Sequence, residues 1–195
     1  METTTTTPTP IPSPNQPPAT APARAVPDGP ALRRPPIELV RRVVGSRSFA
    51  TVATTSSAGH SHVAGMLYAA VGDDLWVSTL RSSRKARNVA ATGRAAVCIP
   101  IRRLPVGPPS SVQFQGRAEI VAVDDPEILG LVEAGRLKAV TSHGELELPG
   151  GCFVRITPVG RLHTYGLGMS IWSLVRDPLA AGGVVDLDPP AGRAA

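Results

Sequence analysis

Residues 81–94 read RSSRKARNVAATGR, and this stretch gives the first indication of both fold and function. It follows residues 75–79, LWVST, whose β-branched and aromatic side chains are typical of a strand. Residues 81–94 themselves indicate the opening of a short helix. A strand that leads through serines and bases into a helix start is a natural anion site, because unpaired backbone N–H groups and the positive helix end face the turn.

The charge pattern around this turn strengthens that interpretation. The stretch from residue 81 to 103 contains no acid and seven bases: Arg81, Arg84, Lys85, Arg87, Arg94, Arg102 and Arg103. A solvated basic helix face is the plainer alternative, but such a face normally carries acids that balance its charge. We therefore expect a negatively charged group to bind here.

Composition sets the domain boundaries. At 195 residues the chain suits one core. Its first thirty residues are mostly Thr, Pro, Ala and Ser, which cannot bury enough surface to offset their ordering entropy. We predict a disordered Pro/Thr-rich extension at 1–32, one folded domain at 33–178 and a flexible tail at 179–195.

Several function classes are disfavoured by the same composition. No apolar run is long enough to span a bilayer, so we expect a soluble, cytoplasmic protein without a membrane partner. Between residues 33 and 176 there are 18 bases and 10 acids, 18 − 10 = +8, but they concentrate at one turn and aromatics are scarce. Nucleic-acid binding is therefore not expected. His60 and His62 have no third ligand at metal-binding spacing, so no metal is expected.

The remaining chain indicates many short strands. A helix is predicted from Pro36 to Gly45 and another over residues 124–135, where acidic residues and a proline precede apolar ones. Strands are predicted over residues 49–55, 61–71, 75–80, 95–101, 111–123, 151–158 and 160–166, the first three forming an antiparallel meander. Gly116 is expected to mark a bulge or a close backbone approach. The predicted fold is a small, mainly β, antiparallel barrel with two to three short helices at its openings.

This order of elements, together with Ser83-Arg84-Lys85 and the following Asn88 after the strand, resembles the split-barrel flavin-binding family of pyridoxamine 5′-phosphate oxidase and its deazaflavin (F420)-dependent relatives. The resemblance covers roughly residues 36–168. It implies a split antiparallel β-barrel, a homodimer with the cofactor between the subunits, and an FMN- or F420-dependent oxidoreductase that transfers hydride to or from a small organic substrate.

The resemblance also implies which residues hold the cofactor. Arg84 and Lys85 would grip its phosphate, which agrees with the planar fork of arginine and the compact charge of lysine. The full set of expected cofactor-binding residues is Ser78, Thr79, Ser83, Arg84, Lys85, Arg87 and Asn88. No catalytic acid or base is predicted, since the cofactor carries such chemistry.

The sequence departs from the family's pattern at one strand, which bears on the identity of the substrate. Two alternative functions also stay open. The strand over residues 62–68 lacks the charged Arg-to-Lys motif of the oxidase, which argues against pyridoxamine phosphate as the substrate. The first alternative is a non-catalytic protein that binds or sequesters flavin, F420, haem or another anionic ligand. The second is a regulatory protein whose basic surface meets nucleic acid.

Overall fold

The computed structural model describes residues 31–102 and 107–187. Its strands are β1 (Phe49–Thr55), β2 (Ser61–Leu67), β3 (Ala69–Val71), β4 (Asp74–Leu80), β5 (Arg94–Ile101), β6 (Ser110–Ala122), β7 (Gly151–Tyr165) and β8 (Gly182–Asp186). Its α-helices are α1 (Ile37–Gly45), α2 (Arg84–Thr92), α3 (Pro126–Glu133) and α4 (Ile171–Arg176). Short 3₁₀ helices lie at Lys138–Val140 and Leu179–Ala181. Within the described ranges, every helix is too short or too polar to cross a bilayer.

All the strands belong to one antiparallel sheet. Its order is β2-β1-β5-β6-β7-β4-β3, and β8 also pairs with β7. The sheet curls into a half-barrel, with short helices around it. The predicted fold class, a mainly β split antiparallel barrel, is confirmed.

The predicted meander is wrong, although both of its hairpins exist. Strand β1 pairs with β2 and β3 pairs with β4, but β2 and β3 lie at opposite ends of the sheet order. The chain leaves strand geometry at Tyr68, because the Tyr68 N–H donates to the Ser48 carbonyl at 2.8 Å and its hydroxyl donates to the Val44 carbonyl at 2.7 Å. This buried anchor divides the predicted strand over residues 61–71 into two.

The C-terminal part differs from the prediction as well. The two closing strands predicted over residues 151–166 are one continuous strand, β7. The predicted flexible tail at 179–195 is wrong for residues 179–187, since β8 pairs with β7 from Arg161 to Tyr165. Arg33 forms an isolated parallel bridge with Gly183 of β8. Residues 1–30 of the predicted extension lie outside the described residues.

The two faces of the sheet are covered differently. The inner face packs a core that includes Val52, Leu75, Val97, Phe114 and Ile156, with α1 and α2 contributing Val40 and Val89. On the outer face, α3 and the following segment cover only the part near β4 and β7, burying Trp76, Phe153, Ile128, Leu137 and Val140 in a second cluster. The outer face of β2, β1 and β5 has no such cover within the described chain.

Arg155 of β7 links α3 to the outer face of the sheet near β4 and β7. The Arg155 guanidinium lies 5.4 Å from the centre of the Trp76 ring and pairs with Glu127 of α3 at 3.0 Å and with Glu119 of β6. Arg155 is partly buried, and burial lowers its pKa. The hydrogen bond that Arg155 donates to Glu119 and the negative charges of Glu119, Glu127 and Asp74 raise the pKa, with a net rise. The guanidinium therefore stays charged and bridges two elements.

Gly116 makes the close backbone approach that the sequence predicts. A Cβ atom at this position would lie 2.8 Å from Ile156 Cγ2 and 2.9 Å from the Thr157 carbonyl oxygen of β7. The adjacent β6–β7 register shifts between Gln113 and Gln115. A side chain at Gly116 would therefore push β6 away from its main partner strand.

This contact predicts the outcome of two glycine substitutions. Gly116→Ala should lower the free energy of unfolding by about 1–3 kcal/mol, because overpacking displaces the backbone. The matched control is Gly130→Ala on the exposed side of α3, where an added Cβ meets nothing within 4 Å. That change should raise stability by about 0.5–1 kcal/mol, since glycine is costly inside a helix. Urea unfolding followed by circular dichroism measures both, and a Gly116→Ala protein as stable as the parent would contradict the packing argument.

Candidate functional site

The candidate site is the turn from β4 into α2. Ser83 is the N-cap of α2, and its Oγ accepts a hydrogen bond from the Ala86 N–H at 3.2 Å. Ser83 Oγ also lies 3.2 Å from Thr79 Oγ1, so these two hydroxyls share a hydrogen bond. The N–H groups of Arg84 and Lys85 have no acceptor among the described residues. They are thus available to an anion, as is usual in the first turn of a helix.

The bases at this turn are electrostatically uncompensated. No carboxylate of the described residues pairs with Arg81, Arg84, Lys85 or Arg87. Arg81, Arg84 and Arg87 are exposed, and Lys85 is partly buried. Arg41, by contrast, pairs with Asp73 at 2.9 Å and Glu38 at 3.0 Å, which raises its pKa. We call Arg81, Arg84, Lys85 and Arg87 the basic turn.

Asn88 lies on the side of α2 that faces the barrel, away from solvent. It is 5% exposed, and its Nδ2 donates to Thr54 Oγ1 of β1 at 3.1 Å. At the other end of the helix, Gly93 adopts the left-handed conformation (φ 64°) and its carbonyl accepts from the Ala118 N–H at 2.8 Å. The structure therefore gives Asn88 a role in fixing α2 on the barrel, while its predicted contact with a cofactor stays a prediction.

Ser78 and Thr79 point to opposite faces of the sheet. Successive strand residues alternate sides, and Ser78 pairs with Phe153 of the outer cluster while Thr79 pairs with Cys152. The structure thus brings together Thr79, Ser83, Arg84 and Lys85 at one turn but places the Ser78 hydroxyl on the other face. Two neighbouring strand residues cannot both face the turn, so only one of these two hydroxyls belongs to it.

A buried thiol lies under the basic turn. Cys152 is fully buried and belongs to β7, opposite Thr79 in the register. Burial raises the pKa of the Cys152 thiol, an effect partly offset by the positive charges of Arg81 and Lys85. The thiol therefore stays protonated at neutral pH, and the two bases lie close enough for their fields to reach it.

The outer face of β2, β1 and β5, together with the adjoining parts of β6 and β7, carries a groove that sequence reasoning missed. One cavity of about 600 Å³ and a second of about 470 Å³ share Ala53, Ala96, Gln115 and Val159 in their linings, so they form one continuous groove. Exposed apolar side chains border or line this face: Phe49, Val63, Leu67 and Val159. The signal for it in the sequence is that Arg94 is the sole Lys, Arg, Asp or Glu in β1, β2 and β5.

Residues 37–159 match the sequence profile of the pyridoxamine 5′-phosphate oxidase family. No curated protein matches the sequence.

Two of the similar solved structures are described as haem proteins. HutZ of Vibrio cholerae, described as a haem storage protein, has a TM-score of 0.56 and 18% identity over 71% of this chain and 98% of its own. A haem-binding protein of Mycobacterium smegmatis has a TM-score of 0.57 and 22% identity over 70% of this chain and 56% of its own.

A third similar structure is described as an FAD-binding protein of Mesorhizobium loti. Its TM-score is 0.50, with 21% identity over 66% of this chain and 91% of its own. At these identities the three structures show the shared fold. The profile match spans more than half of the sequence and includes β4, the basic turn and α2, and the chain therefore belongs to the pyridoxamine 5′-phosphate oxidase family.

Proposed function

We propose that this protein is an FMN- or F420-dependent oxidoreductase whose cofactor phosphate binds at the basic turn. The observation that carries the proposal is the uncompensated charge of Arg84 and Lys85 beside two free N–H groups at the capped start of α2. A phosphate supplies the acceptors that these donors lack, and hydrogen bonds between ionised groups are the strong kind. The residues present thus suit the phosphate of such a cofactor.

The roles of this chain's residues follow from their positions. Arg84 and Lys85 bind the phosphate, and Arg81 and Arg87 add to the positive field around it. Ser83, held by Thr79 and by its own cap bond, fixes the first turn so that its donors point outward. When bound, FMN or F420 supplies hydride transfer to or from a small organic substrate. The protein contributes binding, orientation and exclusion of water.

The open outer face supports a second part of the proposal, a homodimer with the cofactor near the subunit interface. Val63 is 61% exposed, and Leu67 and Phe49 next to it are also exposed. A sheet face that exposes several apolar side chains side by side is costly to leave in water. A second copy of the chain that presents the same face buries the open faces of both copies at once. This is the isologous arrangement of most dimers.

A non-catalytic carrier of flavin, F420 or haem is the second candidate function. The haem descriptions of HutZ and of the mycobacterial protein favour it, since those proteins share this fold. Titration of the purified protein with FMN, F420 and haem, followed by absorbance, identifies the ligand. Turnover of the loaded protein with a reduced cofactor and a panel of organic acceptors then separates an enzyme from a carrier.

The phosphate assignment predicts the effect of a double substitution. Arg84→Ala together with Lys85→Ala should weaken FMN or F420 binding by about 100-fold or more, because each charged hydrogen bond contributes about 1.5–3 kcal/mol. Fluorescence titration measures the dissociation constants. Arg41→Ala is the matched control, since Arg41 already has two carboxylate partners. Equal dissociation constants of the double variant and the parent for FMN or F420 would contradict a phosphate site at the basic turn.

The dimer assignment predicts the effect of one charge on the open face. Val63→Lys should convert the protein to a monomer, because two copies of the new ammonium group would be desolvated in the interface. Light scattering coupled to size-exclusion chromatography measures the mass. Leu129→Lys, on the exposed surface of α3 at 53% exposure, should leave the mass unchanged. A dimeric Val63→Lys protein would show that the subunits meet elsewhere.

A further inference from the structure

Two arginines lie side by side on the outer face of the sheet without a counter-charge. Arg94 of β5 and Arg117 of β6 are direct register partners, so their side chains project from the same face. No carboxylate of the described residues pairs with either of them. The next acid along this face of β6, Glu119, is engaged by Arg155. Because like charges directly opposite each other destabilise a sheet, this arginine pair favours an anion.

The arginine pair lies at one end of the groove on this face. Arg94 and Arg117 both line the cavity of about 470 Å³, which continues into the cavity of about 600 Å³. Among the described residues, neither lining includes an aspartate or a glutamate. Sites for small molecules have volumes of about 300–1,000 Å³. The groove therefore has the size of a small-molecule site and a positive charge at this end.

The floor of the groove beyond the arginine pair is small and apolar. The next row of neighbouring positions across the strands consists of Val63, Ala53, Ala96, Gln115 and Val159. This row lies two residues, or about 7 Å, along the strands from the arginine pair. The two alanines in the middle of the row let a flat ring approach the sheet, and the exposed valines border it on both sides.

We propose that this groove binds a planar apolar carboxylate, with its carboxylate between Arg94 and Arg117 and its ring on Ala53 and Ala96. A guanidinium fork matches the two oxygens of a carboxylate. The ring loses apolar surface to water when it lies on the alanines. The amide of Gln115, beside the ring, offers both a donor and an acceptor to a polar substituent.

This carboxylate site is separate from the basic turn. Helix α2 has nine residues, and at about 1.5 Å per residue its length of about 13 Å separates Arg94 from the first helical turn. It is also separate from the most apolar end of the open face, since Phe49 and Leu67 lie four residues further along β1 and β2 than Ala53 and Val63. The proposal therefore does not rest on the identity of the cofactor.

Equilibrium dialysis of the full-length chain against 2-naphthoate tests this proposal, with 2-naphthamide as the matched neutral probe. The parent should bind naphthoate at least about tenfold more tightly, because only the acid pairs with the arginines. The variant with Arg94→Gln and Arg117→Gln should lose that difference. The control, Arg136→Gln with Arg176→Gln, removes the same charge from two exposed arginines outside the groove and should keep the difference.

A filled groove provides an independent test. Ala96→Leu places a larger side chain on the floor and should weaken the binding of both probes by about tenfold or more. Ala90→Leu, on the exposed side of α2, should leave both unchanged. The variant with Arg84→Ala and Lys85→Ala should bind naphthoate like the parent, so failure of the cofactor site and failure of the groove site are distinguishable.

Three results would overturn the proposal. The first is equal binding of naphthoate and naphthamide by the parent, or no binding of either at millimolar concentration. The second is weaker naphthoate binding in the control arginine variant or in the Arg84 and Lys85 variant, because the anion would then bind elsewhere. The third is naphthoate binding that falls as protein concentration rises, because a second copy would then occupy the groove.

Discussion

The divided edge of β7 determines how this barrel is built. One edge of β7 pairs with β6 from Ser111 to Ala122. The other edge is shared, because β4 pairs with Gly151–Ile156 and β8 pairs with Arg161–Tyr165. Between these halves lie Pro158, which has no N–H to donate, and Gly160, whose φ of 72° suits a bend. The local sequence thus ends one pairing and permits the next within a single strand.

This division also explains where the candidate site lies. Because β4 occupies the first half of β7, its last residue, Leu80, pairs with Gly151, and the Arg81 N–H donates to the Gly150 carbonyl at 2.9 Å. The basic turn therefore begins at a fixed point on the rim of the barrel. The outer face of the sheet at β4 and the first half of β7 is covered by α3 and the segment after it. The outer face of β2, β1 and β5 stays open. One sheet thereby carries both a charged rim and an open apolar face.

Local sequence patterns predicted the helices and strands better than they predicted which strands pair with each other. The caps and stripes of α1 and α3 and the acid-free run at α2 are encoded within a few residues, and the predicted helices form. The break at Tyr68 was not predictable because it depends on carbonyls of Val44 and Ser48, which lie far away in sequence. Strand β8 is short and begins with two glycines, so only its pairing with β7 reveals it.

The same contrast holds for the candidate site. The charge cluster at Arg84 and Lys85 was visible in the sequence. Which of Ser78 and Thr79 lies on the same face as the outer cluster was not, because that depends on which face of the sheet α3 and the following segment cover. Asn88 likewise resembles a ligand-binding residue in sequence, yet its amide is buried against Thr54. The open outer face left a signal in the near absence of charge from β1, β2 and β5, which becomes meaningful once these strands are known to be neighbours.

The basic turn works against the stability of its own helix, and this is the strongest physical reason to regard it as functional. Cations at a helix N-terminus oppose the helix macrodipole, and Arg84 and Arg87 are like charges one turn apart. Arg41, Arg155 and Arg161, by contrast, each pair with a carboxylate. A bound anion would remove both unfavourable terms at once, since it complements the dipole and separates the bases. A local arrangement that disfavours folding and is relieved by one class of ligand is what a binding site requires.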